Sequence, residues 1–525
     1  MKYSAKREDN YTLLTLTGLF VLIFSTLISL QAQTSIIKDS EREQVSPSVV
    51  LVPDGFAVVA STGDGTAATV RVVDITQFGT LWNTISNYSP AFIATTAQMP
   101  LHQTWSTALF QNQVLHGLAV SHDGTTIYAS THAYTGVNRT PNIYRITSLA
   151  PTPATLMATL PGGGNYGVGG IDLDETHNLL FASNMDDGKI YRIDVSSTPG
   201  TILDSFDPLL PDTSGTNLPP MGERIISVAY HRLENRLYYS VWGTSANTVR
   251  SIGLDSSGAF NPPSDDTLEF TIPSSQTPAG DIEFNVVGNR MLIAEEPLFS
   301  SPTSIGLSAH NGRILEYVRG ITGIWTPDPA GYGSSPIKYE AGMAISRTNS
   351  RGGITFVYSA PIGNTGNGNE RFVLFTGDAL RLDSAAVYGL QFTPSSGGSA
   401  GGGSLPSNSL IADLDYDTSA QDKTVYGDVD MRKIVAPTSG EVSIGGRIID
   451  ASGNGLGRIN VTITQQSGAT ASAITNPFGY YRFENVPVEQ IVIVDVASKH
   501  YTFNPSSQAI LAEEDRDNVN FTAEN

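Results

Sequence analysis

The sequence predicts an all-β protein built as two modules, and three observations carry that prediction. Short runs of residues alternate apolar and polar side chains, the period of a half-buried strand. Asp, Asn and Gly turn signals punctuate the runs. Beyond the N-terminal segment, no long stretch carries a 3.6-residue apolar stripe. Composition agrees: 51 Gly, 29 Pro and only 15% charged residues, with abundant Val, Ile, Thr and Tyr, suit strands and tight turns.

The chain has 525 residues, enough for two or three domains with sizeable cores. Its formal charge of −20 argues against a nucleic-acid backbone or an anionic membrane surface as partner, and fits a protein kept soluble outside the cell. There is no cysteine. That excludes disulfides, thiolate nucleophiles, thiolate zinc sites and a lipid-modified N-terminal cysteine.

Residues 1–32 read as an export signal. Lys2, Lys6 and Arg7 form a basic start, Leu13 to Leu30 is an apolar run, and cleavage is expected after Ala32. The apolar run is also near the length that spans a bilayer, so an uncleaved N-terminal anchor is the alternative. Either outcome places the bulk of the chain outside the cytoplasm, secreted or at a bacterial cell surface. Contact with a membrane is expected only through that segment.

Residues 46–394 repeat one unit. Its clearest copy is Gly170 to Asp194, GIDLDETHNLLFASNMDDGKIYRID, three short runs separated by two polar turns. Relatives occur around Tyr128, Tyr238 and Leu292. A weaker one around Phe356 is read with Ile354–Tyr358 as its second strand, and an upstream copy runs from Asp54 to Val73. The second strands at Tyr128, Phe181, Tyr238, Leu292 and Phe356 are spaced by 53, 57, 54 and 64 residues. A period of that size, with three visible strands and room for a fourth, predicts β-propeller blades. One blade cannot hide both of its faces; stacking blades in a ring does, and closure removes exposed edges. Six copies are readable. Residues 385–435 hold either a seventh blade or a closing strand for the first, with Tyr388–Phe392 and Tyr426–Asp430 as strand candidates. The fold expected is therefore a six- or seven-bladed β-propeller. The copies resemble the propeller repeats of extracellular bacterial proteins with their "xIYRID" segment. That resemblance implies binding modules, lyases or calcium-dependent lactonases.

Residues 395–440 read as a Gly/Ser-rich linker with possible closing strands, PSSGGSAGGGSLPS being its core. Residues 441–525 form the second module. Short alternating strands, Val442–Asp450, Val461–Thr464 and Tyr480–Phe483, are separated by turn signals at sandwich spacing. Asn454-Gly455 suits a tight turn with positive φ, and Phe478-Gly479-Tyr480 another. Tyr481 and Phe483 are expected to alternate faces, and Tyr501, Phe503 and Phe521 to close the core. With Gly445-Gly446-Arg447 and Asn485-Val486-Pro487, this set resembles the carboxypeptidase regulatory-like domain. The resemblance implies a transthyretin-like, seven-stranded β-sandwich without catalytic activity.

Motifs with chemical meaning are few. His231-Arg232-Leu233-Glu234 has the His-x-x-Glu spacing of a zinc peptidase, but it falls in a strand-to-strand turn and lacks a third ligand. Gly162 to Gly167 contains Gly-x-Gly-x-x-Gly, yet a strand follows where phosphate cradling needs a helix. Asp413-Leu414-Asp415-Tyr416-Asp417 resembles the opening of a calcium loop, but Thr418 and Thr424 stand where Gly and a bidentate Glu belong. Asp186, Asp187, Asp281, Glu283, Glu295 and Glu296 lie at strand ends in different blades. Were three or more of them to converge with Asn184, a cation there would polarise a lactone or ester carbonyl. No Gly-x-Ser-x-Gly elbow is present. His116 and His122 flank one strand and are expected at solvent or on backbone groups. Tyr134, Tyr166 and Trp242 are candidates for sugar stacking, with core packing as the plainer role. No catalytic, cofactor-binding or metal-ligating residue is assigned and no cofactor is expected; calcium is the one ion the Asp patterns would admit. The reading is an exported, non-catalytic binding protein. Its propeller loops, such as Thr131–Pro141 and Pro297–Asn311, would meet an extracellular protein or glycan, and its sandwich would act as spacer or attachment module. The rival is a calcium-dependent propeller hydrolase or lyase.

Overall fold

The structure is a computed structural model that describes residues 50–62, 68–76, 93–94, 101–105, 110, 115–132, 140–148, 154–162, 166–208, 218–272, 277–301, 304–308, 310–320, 322–328, 337–342, 348–357, 370, 372–382, 386–395, 397, 409–414, 425–433, 441–465, 470–487, 490–512 and 515–524. Residues 1–32, read as an export signal, and Tyr134 and Asp415 to Asp417 lie outside them.

Six antiparallel sheets form blades, each running from an inner strand outward. Blade 1 is Tyr426–Met431, Phe56–Thr62, Ala68–Asp74 and Leu101–Trp105. Blade 2 is Leu115–Val120, Ile127–Thr131, Asn142–Ile146 and Ala154–Thr159. Blade 3 is Val168–Asp174, Leu179–Asn184, Lys189–Asp194 and Thr201–Phe206. Blade 4 is Arg224–His231, Arg236–Trp242, Asn247–Gly253 and Thr267–Ile272. Blade 5 is Ala279–Phe284, Arg290–Glu295, Ile314–Arg319 and Trp325–Pro327, with Ile337–Tyr339 also paired to the third strand. Blade 6 is Ser350–Phe356, Phe372–Leu382, Ala386–Pro394 and Leu410–Asp413, with Ile93–Ala94 added in parallel at its edge.

Each inner strand touches the inner strand of the next blade, and that of blade 6 touches that of blade 1. The ring is closed and six-bladed. The described residues of 385–435 form no seventh blade: they complete blade 6 and supply the inner strand of blade 1, antiparallel to Phe56–Thr62 with Val59 opposite Val429. The weak copy is displaced by one strand from its sequence reading. Ile354–Phe356 lies on the inner strand, and Leu374, not Phe356, occupies the second-strand position. The long connection between those strands hid the true period.

Adjacent blades bury one another's faces. Ala119, Tyr128 and Ile143 of blade 2, for example, pack with Ile171, Leu180 and Tyr191 of blade 3. The larger aliphatic ones, Ile143, Ile171 and Leu180, each contribute about 1.5–3 kcal/mol by leaving water. A hydroxyl on the second strand adds a polar clasp to the neighbouring inner strand. Ser130 donates to the Gly169 carbonyl at 3.2 Å, Ser183 to Ile226 at 2.9 Å, Ser240 to Ala279 at 3.0 Å and Thr376 to Gly427 at 2.8 Å. Inner strands run so close that a Cβ at Gly169 would stand 2.1 Å from the Ile226 carbonyl oxygen.

Residues 441–524 form two four-stranded sheets. One orders Tyr480–Pro487, Glu441–Ile449, Phe521–Glu524 and Thr502–Phe503; the other orders Thr470–Ile474, Asn460–Thr464, Gln490–Ala497 and Ser507–Ala512. That makes eight strands among the described residues, counting the two-residue Thr502–Phe503. Ile444, Val461, Phe483, Val494 and Phe521 are among the residues of their common core. Two aromatic expectations fail there. Tyr481 and Phe483 share the buried face, as residues two apart on a strand must, and Tyr501 is exposed. The Asn454 turn is also built differently. Gly453 takes the positive φ (86°), while Gly455 is required because a Cβ there would meet the Phe478 carbonyl at 1.9 Å.

Candidate functional site

Inner strands leave one edge facing the central channel, so their backbone amides need acceptors. Carboxylates on odd-numbered blades supply them to even-numbered ones. Asp428 of blade 1 accepts from the Leu118 amide at 2.9 Å, and Asp430 from Val120 at 2.8 Å. Asp172 of blade 3 accepts from Tyr230 at 2.7 Å, and Asp281 of blade 5 from Ile354 at 3.0 Å. Lys433, just past the closing strand, sets its ammonium 3.0 Å from Glu283. Burial alone would lower the Lys433 pKa, but the charges of Glu283, Asp172 and Asp430 raise it above its ordinary value. The amine stays protonated and is no nucleophile.

Burial is the largest cause of the carboxylate shifts too. It lifts Asp281 to about 7 and Asp430 to about 6, and holds Glu283 and Asp428 well above the usual range, Asp428 being pushed further by the charges of Asp281 and Asp430. Asp281 and Asp428 are hydrogen-bonded to one another, so one proton is shared between them.

Above this layer, on the face of the strand 1 to strand 2 turns, opens a cavity of about 440 Å³. Asp172, Tyr230, Phe284 and Lys433 wall its deep part; His122, Glu175 and Arg232 stand at its rim. His122 pairs with Glu175 at 2.5 Å, and its carbonyl accepts from Arg432 at 2.6 Å. At the opposite end of the channel Tyr166, Met185, Leu218, Ile226, Trp242, Leu298 and Ile305 pack together, with Val425 against them. Ile226 belongs to blade 4 and Val425 adjoins blade 1, so this apolar cluster spans the channel. Beneath it His116 of blade 2 lies 3.6 Å from Glu296 of blade 5 and stacks on His132. Burial lowers both imidazoles to about 4.

The six carboxylates singled out in the sequence do not converge. Asp281 and Glu283 lie in the channel layer. Glu295 is forked by Arg313 (2.6 and 2.7 Å), and Glu296 faces His116. Asp186 accepts from the Tyr166 amide, Asp187 from the Tyr191 hydroxyl, and Asn184 donates to the Pro161 carbonyl. Among the described residues no three imidazole or carboxylate groups are placed to hold a metal ion together. His231 is buried between Tyr238, Phe284 and Trp325, bonds the Gly288 carbonyl at 2.9 Å and has no histidine beside it among the described residues. His116 is buried and hydrogen-bonded to the Gly280 backbone, the second of the two expected settings, and Tyr166 and Trp242 are buried, the core role, rather than free to stack on sugars. Gly167 leads directly into the strand Val168–Asp174.

Asp172, Asp428, Asp430 and Lys433 were missed as site residues. Their signal was present: carboxylates alternate in otherwise apolar inner strands, as in Asp281-Ile282-Glu283 and Asp428-Val429-Asp430.

Residues 443–524 match the family model of the carboxypeptidase regulatory-like domain. No curated protein matches the chain in sequence. Similar solved structures include a β-propeller domain from Myceliophteria thermophila (9% identity, 83% of this chain and 100% of that one, TM-score 0.36). A hypothetical selenium-binding protein from Sulfolobus tokodaii gives 11% identity, 72% and 93% coverage and a TM-score of 0.38. A protein from Lactobacillus plantarum gives 12%, 71%, 99% and 0.35. None of the three bears on function.

Proposed function

We propose that this is an exported, non-catalytic binding protein: the propeller recognises an extracellular protein or glycan, and the regulatory-like sandwich serves as spacer or attachment module. One observation supports the reading above the rest. The channel carboxylates, which a lactonase-like propeller would turn toward a cation, are engaged in holding neighbouring blades together and in neutralising Lys433. What remains open is a cavity suited to binding. It lies on the face of the strand 1 to strand 2 turns, whereas the described ends of Thr131–Pro141 and Pro297–Asn311, between second and third strands, lie on the other face. The recognition site proposed is therefore the cavity, not those loops.

The test is a glycan and peptide array probed with residues 33–525, beside a metal assay and a lactone and ester screen on the same preparation. Binding weakened at least ten-fold by Arg232→Ala, without turnover, is the expected result. Stoichiometric calcium accompanied by turnover overturns it in favour of the hydrolase.

A further inference from the structure

Resting on the binding reading, we infer that the channel-mouth cavity takes a primary ammonium group carried on an apolar stem, as on a lysine side chain or an alkylamine, with its charge directed to Glu283. Charge, size and lining each point that way. Asp172, Glu283 and Asp430 surround the single ammonium of Lys433, so the layer holds more acceptor oxygens than that one cation occupies, an arrangement that suits a further charged donor at the mouth. Glu283 is only 7% exposed; its Oε2 meets Lys433, while its Oε1 has no hydrogen-bond partner in the protein. A buried carboxylate oxygen left so is costly, and a donor brought to it is worth correspondingly more.

Size narrows the choice. The void lined by Glu283, Asp281 and Asp430 measures about 20 Å³ and shares Asp172 and Lys433 with the 440 Å³ cavity above it. A volume of that order admits one water-sized group, which an –NH₃⁺ head is and a trimethylammonium head is not. Leu173, Phe284 and Val286 in the cavity wall offer the stem an apolar path. A divalent cation is the weaker fit, because Lys433 already stands among the oxygens that would hold it.

Calorimetric titration of residues 33–525 with hexylammonium, hexan-1-ol, hexanoate, hexyltrimethylammonium and calcium chloride decides the matter. Hexylammonium is expected to bind at least ten-fold more tightly than the other four. Glu283→Gln, which keeps an acceptor for Lys433, is expected to reduce that affinity at least ten-fold in protein that still unfolds cooperatively at a lowered midpoint. Equal binding of the alcohol or the acid, or indifference to Glu283→Gln, overturns the ammonium assignment while leaving the cavity as a binding site. Failure of all five probes overturns the cavity reading as well, and stoichiometric calcium binding replaces the amine with a metal.

Discussion

Ser183 shows how much one atom contributes to a blade junction. Its hydroxyl sits fully buried, 2.9 Å from the Ile226 carbonyl of the next blade. Ser183→Ala leaves that carbonyl without its donor, so a loss of about 1 kcal/mol is expected. In thermal denaturation this appears as a fall of about 2 °C; an unchanged midpoint would show that the clasp adds nothing. Its recurrence at Ser130, Ser240 and Thr376 was legible only afterwards. A hydroxyl two residues past Tyr128, Phe181 and Tyr238 has many ordinary explanations until the neighbouring strand is seen. The same holds for Asp172. Alternating with Asp174 at the end of its strand, it reads as a turn-proximal surface group, and only the ring places the Tyr230 amide opposite it.

At the level of the element, the strand Tyr426–Met431 decides closure. Its backbone pairs with Phe56–Thr62 and its Asp428 and Asp430 reach blade 2. Val429→Pro removes the amide that donates to Asp428 Oδ1 and fixes φ in mid-strand opposite Val59, which weakens the closing strand. We expect limited proteolysis to cut this variant between blades 1 and 6 under conditions that leave the parent intact. Equal resistance would mean that the strand does not hold the ring. Strand existence was well announced by alternation, and the three clearest copies kept their registers. Blade 6 was misread because residues 357–371 part its first two strands, and periodicity cannot count across an insertion. Ring closure itself leaves no local mark, since a closing strand has the alternation of any other.

For the whole molecule, the buried ionisable groups set opposing pH dependences. Asp281 is raised from 3.8 to about 7 in the fold. Between those values the folded state holds a proton that the unfolded state has released, so stability falls as pH rises through the window and stays low above it. His116, His132 and His231 are lowered from 6.5 to about 4. For them the unfolded state takes the proton first, and stability falls as pH drops from 6.5 toward 4. Asp281→Asn isolates the first contribution while keeping an acceptor for Ile354. Urea unfolding is expected to find the variant and its parent alike near pH 4, with the variant gaining on its parent up to about pH 7 and holding that gain at pH 8. A difference independent of pH would contradict it. The two-module plan was legible from the sequence, because a repeat period and a set of specific turn motifs are both long-range signals. The charge layer was not, because the blades that share it are far apart along the chain.

Blade 1 has one property that the other five lack. Its outer three strands leave the ribosome first, while their inner partner is made only after five further blades. Until then the edge of Phe56–Thr62 is an unsatisfied template, open to any strand that reaches it. Arg432 finds His122 across 310 residues of chain, so a contact that must wait for the end of the propeller is also among the most distant, and such contacts slow assembly. Under the export proposed above, late closure is an advantage to a polypeptide threaded unfolded through a membrane, since no finished ring has to be pulled apart on the way.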